Sequence, residues 1–373
     1  MKRGLYTTAV LTLFHGLVLF AALNLAAWGF LTAFPEDPVS LTYGNRSFGL
    51  VYPGLSPEDV RALLRETWTR AEAYEPFTES RERRYAGRFV NVHAAGFRLS
   101  RDQGPWPPDS SRANVFVFGG STTFGYGVAD DETIVSSLQA SLDERLGKGR
   151  TACYNFGRGA YYSTGERILF ENLLGEGAVP RVAVFVDGLN DLALGAPFLS
   201  GRFRDQVNAP VRTALVTLAE QLPVAQLVAR RKAARPPRRS EAELAAAFDD
   251  VALLDARLER YFVNRRLVSA AASSWGPRLL FVWQPVPTYR YDLRYHVFGD
   301  LDFAKNHYAG FGYARMAERL RKAPPGPDFL WAADLQEGVR EPLYVDQIHY
   351  TAAFSRRIGA EIARALVERA LVP

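Results

Sequence analysis

A single cysteine, Cys153, stands among 373 residues, which excludes an intramolecular disulfide. Its place in the apolar run "ACYNFG" reads as a small buried core residue. One cysteine does not report the redox compartment. Histidine is also scarce, with His15, His93, His296, His307 and His349 the complete set. That scarcity leaves few candidates for a general base or a metal ligand. No internal repeat is evident. The formal net charge is only +5, a balance that permits an anionic partner without requiring one. Nothing in this pattern calls for a cofactor, a metal or a nucleic-acid partner.

The most informative absence is of charge near the N-terminus. From Leu5 to Phe34 there is no Asp, Glu, Lys or Arg. About 20 apolar residues suffice to cross a bilayer, whereas the apolar core of a signal peptide runs about 7 to 15. Lys2 and Arg3 precede the stretch and "PEDP" follows it, with Trp28, Phe30 and Phe34 near its far end. Aromatic rings favour the membrane interface, and basic residues stay on the cytoplasmic side. Residues 1–34 are therefore expected to be a signal anchor, crossing the membrane through residues 5–34. The N-terminus would be cytoplasmic and the remaining chain extracytoplasmic, either periplasmic or extracellular. Cleavage near "AALNLAA" is the alternative, and His15 is incidental to the span.

Residues 35–112 read as a juxtamembrane segment with one helix. In "SPEDVRALLRETWTRAEAY", Ser56 suits an N-cap, Pro57 the first helical position, and Glu58 and Asp59 the first turn. Val60, Leu63, Leu64 and Trp68 then share one face. The charge-rich "ESRERRYAGRF" is expected to be solvated, and "RDQGPWPPDSSRAN" to break the chain before the next element.

From residue 113 to 373, apolar runs alternate with helical patterns. Strands are expected at Val115–Phe118, "ACYNFG", "RVAVFV", "RLLFVW" and "FLWAADL". Between them lie helices in "TIVSSLQASLDERLG" and "ERILFENLL", a helical stretch from about 211 to 272, a helix around Leu320, and a final helix in "AAFSRRIGAEIARALVERAL". Apolar runs without alternation, separated by helices, imply a parallel sheet covered on both faces. The basic, proline-broken stretch "VARRKAARPPRRSEAELAAA", within a helical insertion at about 200–275, reads as a surface insertion. A lid or a membrane-facing patch is the sharper alternative.

Ligands of an open parallel sheet bind at the carboxyl ends of its strands. There the chain presents Gly119-Gly120-Ser121, then "NFGRGA", then "DGLND" with Asn190, and finally "LYVDQIHYT" with Asp346 and His349 opening the last helix. Gly120 and Gly125 have the spacing of a phosphate-binding loop. Tyr126 and Gly127 stand where it needs Lys and Ser or Thr, which excludes that reading. A nucleophilic serine needs an adjacent base, itself oriented by a carboxylate. Among the histidines only His349 has an acid three residues before it. A metal site would want more ligands than Asp187 and Asp191 offer.

"FGGSTTFGYG", "NFGRGA", "GLND" and "VDQIH" resemble, in order and position, the four blocks of the SGNH, or GDSL-type, hydrolase superfamily. The resemblance covers about residues 113 to 371. It implies an α/β fold, a flavodoxin-like three-layer α/β/α sandwich with a five-stranded parallel sheet, here preceded by the transmembrane helix. It also implies catalytic Ser121, Asp346 and His349, with an oxyanion hole from Ser121, the second-block backbone and Asn190. Two departures stand out. The first block reads Gly-Gly-Ser-Thr, and the usual spacing from Asn155 falls on Ala160 with Gly159 one residue earlier. The implied activity is a serine esterase or deacylase acting on an acylated glycan or lipid. An O-acyltransferase using the same residues is the alternative, and a non-catalytic carbohydrate-binding or assembly protein is the rival class. The aromatics of "VWQPVPTYRYDLRYHVF" are a candidate wall for the substrate, although core packing explains them equally.

Overall fold

The computed structural model describes residues 2–34, 48–194, 206, 208–232 and 237–373. In chain order the helices used below are α1 (Lys2–Ala33), α2 (Pro57–Trp68), α3 (Ser121–Phe124), α4 (Ile134–Leu146), α5 (Ser163–Gly175), α6 (Leu189–Ala193), α7 (Pro210–Gln221), α8 (Pro223–Lys232), α9 (Glu241–Phe248), α10 (Val251–Trp275), α11 (His307–Lys322) and α12 (Ala352–Glu368). The strands are β1 (Glu72–Glu75), β2 (Glu79–Glu82), β3 (Tyr85–Ala86), β4 (Asn91–Val92), β5 (Ala113–Gly119), β6 (Thr151–Gly157), β7 (Val182–Asp187), β8 (Arg278–Trp283) and β9 (Phe329–Trp331). Two compact units separate, one within 1–44 and 200–236 and the other within 45–199 and 237–373.

The larger unit is built on a five-stranded parallel sheet in the order β6-β5-β7-β8-β9. Numbered among themselves these strands run 2-1-3-4-5, the flavodoxin-like order, whose switch point lies between β5 and β7. Val115 and Val117 of β5 face the layer of α4 and α12 with Ile134, Leu138, Phe354 and Ile358. Phe116 and Phe118 face the opposite layer with Phe170, Leu254 and Tyr313. The expectation of strands buried on both faces therefore holds. Near the carboxyl ends, Phe156, Phe118, Phe185 and Phe281 occupy matching register positions on four adjacent strands. Their rings stack with centroids 5.6, 4.9 and 5.4 Å apart. Cross-strand aromatic contacts of this kind stiffen a sheet, and this ladder lies just beneath the edge that carries the site.

Several local expectations change. "FLWAADL" is a strand only over Phe329–Trp331, and a 3-10 turn takes over at Ala333–Gln336. The long helical stretch is broken into α7, α8, α9 and α10. Part of the basic insertion, residues 233–236, lies outside the described residues, as does "PEDP". The charge-rich "ESRERR" is not simply solvated. It supplies β2, and Glu82 is buried against Arg70 at 3.1 Å. Ser56 caps α2 as expected, accepting from the Asp59 N–H, and Val60, Leu63 and Leu64 are buried.

In the smaller unit, α1 is apolar over Tyr6–Ala33, with a mean hydropathy of 2.0 and the length to cross a membrane. By composition and length it fits either an anchor or a signal sequence.

Candidate active site

Ser121 opens the short α3 directly at the carboxyl end of β5. The two glycines before it are required by close packing. A Cβ on Gly119 would stand 2.1 Å from Thr123 Oγ1, and one on Gly120 would stand 2.4 Å from Asn190 Nδ2. Gly120 has φ −80°, so the left-handed region is not the reason. What the absent side chain permits is the approach of Asn190 to the backbone that carries Ser121.

Although 228 positions apart in sequence, Ser121 Oγ lies 2.8 Å from His349 Nε2. On the other side of the ring, His349 Nδ1 lies 2.6 Å from Asp346 Oδ2. A carboxylate only accepts, so Nδ1 carries the proton and Nε2 is left to accept from the Ser121 hydroxyl. Asp346 is itself fixed, since its Oδ1 accepts from the Ile348 and His349 N–H groups, both at 2.8 Å. The pair does not open the last helix. It sits in a tight turn closed by the Val345 N–H on the His349 carbonyl, and α12 starts after its own cap, Thr351. Thr351 spends its hydroxyl on the Phe354 N–H, which places the helix start beyond the histidine.

Asn190 is the second residue of α6, just after β7 and across the switch point from Ser121. One hydrogen of its Nδ2 goes to the Tyr161 carbonyl at 2.7 Å, and an amide nitrogen has a second to give. The second block makes a turn in which the Tyr161 N–H meets the Arg158 carbonyl. Within it Ala160 has φ +58°, a left-handed position held by a residue other than glycine. Gly159, Ala160, Ser121, Asn190 and His349 all line one cleft of about 430 Å³. The structure thus brings every anticipated site residue together, with both second-block positions at the cleft.

Sequence reasoning missed four contributors. Tyr126 stacks on the His349 ring, and Trp68 meets that ring edge-on at 5.5 Å. Trp68 had been legible only as part of an apolar helix face. The β1–β2 hairpin supplies Glu72, Phe77, Thr78 and Ser80 to the cleft wall. It is held by Arg158, which donates to Glu75 and to the Ser80 carbonyl, and by the Tyr161 hydroxyl, which donates to the Thr78 and Ser80 carbonyls. Burial and the neighbouring Glu82 push the Glu72 carboxyl above its usual range. Beneath the nucleophile, the Thr122 and Tyr350 hydroxyls both donate to Gln284 Oε1, at 2.7 and 2.9 Å. The aromatic stretch after β8 does not line this cleft. Its Tyr291 and His296 line a separate hollow of about 1030 Å³ that contains none of Ser121, Asn190 or His349.

Behind α6 lies a group of buried acids. Asp191 accepts from the Ser163 hydroxyl and from the Gly188 N–H, tying the turn that carries Asn190 to the start of α5. Burial pushes the Glu166 and Asp187 carboxyls upward, with the charge of Asp187 adding to the rise at Glu166 and that of Asp191 to the rise at Asp187. Among the described residues no group of three or more His, Cys, Asp or Glu is placed to hold a metal ion.

No family model and no curated protein matches the sequence. Solved structures similar to the chain include the lipase Lip_vut3 from a goat rumen metagenome, at 13% identity and TM-score 0.42, covering 68% of this chain and 96% of that one. A protein of the G-D-S-L family from Desulfitobacterium hafniense DCB-2 is 13% identical at TM-score 0.36, covering 68% and 100%. The acetyl xylan esterase AlAXEase is 13% identical at TM-score 0.34, covering 68% and 99%. At identities and TM-scores this low, the chemistry of this chain has to be read from its own side chains.

Proposed function

We propose that this chain is a membrane-anchored, extracytoplasmic serine esterase or deacylase of the SGNH type, acting on O-acyl groups of a glycan or lipid. The observation that carries the reading is the unbroken chain Ser121 Oγ to His349 Nε2, at 2.8 Å, and His349 Nδ1 to Asp346 Oδ2, at 2.6 Å. Ser121 Oγ attacks the ester carbonyl while its proton passes to His349 Nε2. Asp346 holds the ring in the right tautomer and stabilises the imidazolium. The carbonyl oxygen becomes an oxyanion, met by the Ser121 N–H, the second Asn190 Nδ2–H and an N–H of the Gly159–Ala160 turn. Collapse breaks the ester C–O bond, and His349 returns its proton to the leaving alkoxide. Water, deprotonated in turn by His349, then attacks the acyl-serine; the Ser121 Oγ–acyl bond breaks, His349 returns that proton to Ser121 Oγ, and the carboxylate leaves.

An O-acyltransferase would share every step as far as the acyl-enzyme and then place a sugar hydroxyl where water stands. The deciding experiment is covalent labelling of full-length protein in detergent with a fluorophosphonate. Labelling of the wild type and its loss in Ser121→Ala are expected. An unlabelled, folded wild type would favour a carbohydrate-binding role. Acetate released from acylated glycans, measured with and without a hydroxyl acceptor, separates hydrolysis from transfer.

A further inference from the structure

In α7, "PVRTALVTLAEQ", Val211, Leu215 and Leu218 recur at i, i+4 and i+7, with Leu222 continuing the row, while Thr213, Thr217 and Glu220 take the other side. Such a stripe is ordinarily covered. Here Val211, Leu215 and Leu218 are 71%, 62% and 61% exposed, and no residue of α7 is buried.

The helix that follows fixes where this stripe lies along α1. The Val224 N–H of α8 donates to Asn24 Oδ1 of α1 at 3.3 Å. Further on, Arg230 Nη2 donates to the Phe34 carbonyl at 3.0 Å, and its guanidinium sits 6.0 Å from the Phe30 ring centroid. Both helices advance in the same direction between these contacts, so α8 runs outward beside the last turns of α1. The bend between α7 and α8 is consequently held at the level of Asn24, about one turn short of Trp28.

By chemistry Trp28 and Tyr6 suit the two edges of the span, because their rings favour the boundary. At 1.5 Å per residue they are about 33 Å apart, close to the roughly 30 Å of a hydrocarbon core. The bend then lies about 6 Å inside the Trp28 edge, within the roughly 5 to 10 Å to which an interfacial helix buries its apolar face. With about 18 Å of length, α7 is too short to cross the core, and a charged Glu220 near its end opposes deep insertion. A helix lying in the boundary plane seats its apolar stripe among lipid chains and leaves its polar side in water. The exposed apolar surface of α1 at Phe20, Leu23 and Trp28 continues to the same level.

We infer that α7 is an interfacial helix that rests on the outer leaflet of the bilayer crossed by α1, through Val211, Leu215 and Leu218. The inference rests on α1 being a retained anchor. It also ties α8 to the anchor, since cleavage after Asn24 would remove the acceptor of the Val224 N–H and leave α8 only its contacts at Phe30 and Phe34.

The test uses full-length protein in liposomes carrying single labels at Leu215→Cys, Leu218→Cys, Thr213→Cys, Thr217→Cys and Leu17→Cys. The unsubstituted chain, whose one cysteine is buried, serves as the blank. With an environment-sensitive fluorophore, the labels at 215 and 218 should be quenched severalfold more by lipids brominated on the acyl chain than by aqueous iodide. Those at 213 and 217 should show the reverse. Labels at 215 and 218 quenched by iodide alone would overturn the inference. Quenching of the Leu17 label by brominated lipid would then show that the anchor itself still stands, and iodide quenching there that the anchor has failed too.

Discussion

The Tyr126 ring lies nearly parallel to the His349 imidazole, with centroids 5.3 Å apart and planes inclined by 20°. Trp68 closes the corner, its ring perpendicular to Tyr126 at 4.8 Å. In the proposed mechanism the imidazole becomes a cation when it takes the serine proton. An aromatic face attracts that cation more than the neutral ring, so its contribution falls on the transition state.

Tyr126→Leu removes the aromatic face while keeping bulk, and Tyr126→Phe keeps the face. A cation held against one ring is stabilised by about 0.5 to 2 kcal/mol, which corresponds to roughly 2- to 30-fold in rate. Tyr126→Leu should lower kcat within that range with KM little changed, and Tyr126→Phe should stay near wild type. Equal losses in both variants would assign the effect to the hydroxyl and sink the cation argument.

Asn190→Ala deletes the side-chain donor across the switch point from Ser121. Removal of one oxyanion donor costs about 10² to 10³ in turnover. The loss should appear in kcat, because the donor meets charge that exists only as the oxyanion forms. Fluorophosphonate should still reach Ser121 in this variant, though more slowly. A turnover equal to wild type would remove Asn190 from the oxyanion hole.

Gly120→Ala tests the same donor from the other side. The added methyl would meet Asn190 Nδ2 at 2.4 Å and the Tyr161 carbonyl at 3.0 Å. Backbone strain is not at issue, so the variant should fold with a cost typical of overpacking, about 1 to 3 kcal/mol. Its kcat should fall toward that of Asn190→Ala, and the double variant should lose less than the product of the two single losses. Fully multiplicative losses would mean that the two positions act independently.

How much of this could be read from residues alone follows from where each signal resides. β5, β6, β7 and β8 were legible because their apolar runs are buried on both faces and end at glycine or turn residues. β9 was overdrawn because Ala332 and Ala333 continue the apolar run after the chain has left the sheet at Trp331, so composition carried no stop before Asp334. The Ser121, Asn190, Asp346 and His349 set was legible because each sits immediately beyond a strand or in a short local pattern. The β1–β2 hairpin was not legible, because its charges are neutralised by partners distant in sequence. Glu82 pairs with Arg70, and Glu75 with Arg158. For the same reason Trp68 showed its helix face but not the imidazole it meets.

His296 gives a pH dependence independent of catalysis. Its ring is buried between Tyr344, stacked at 5.3 Å, and Phe303 at 5.0 Å, and its Nδ1 accepts from the Phe298 N–H. Burial pushes the imidazole down to about 4 from the ordinary 6.5, against the opposing pull of Asp346. Between those two values the unfolded chain binds a proton that the native chain refuses, so stability rises with pH across the window. The contribution is fully present above about 6.5 and is lost as the pH falls toward 4. It amounts to about 3 kcal/mol at one pKa unit per 1.36 kcal/mol. His307, whose imidazole burial also lowers, adds a slope of the same sign and remains in place as an internal reference. His296→Asn retains a side-chain acceptor for the Phe298 N–H but cannot titrate. It should be less stable than wild type at pH 7.5, where aromatic packing is lost, yet lose less further stability on going to pH 5. Chemical denaturation of both proteins at the two pH values measures this directly. Parallel pH slopes would show that the His296 ring titrates in the native protein much as it does in the unfolded chain.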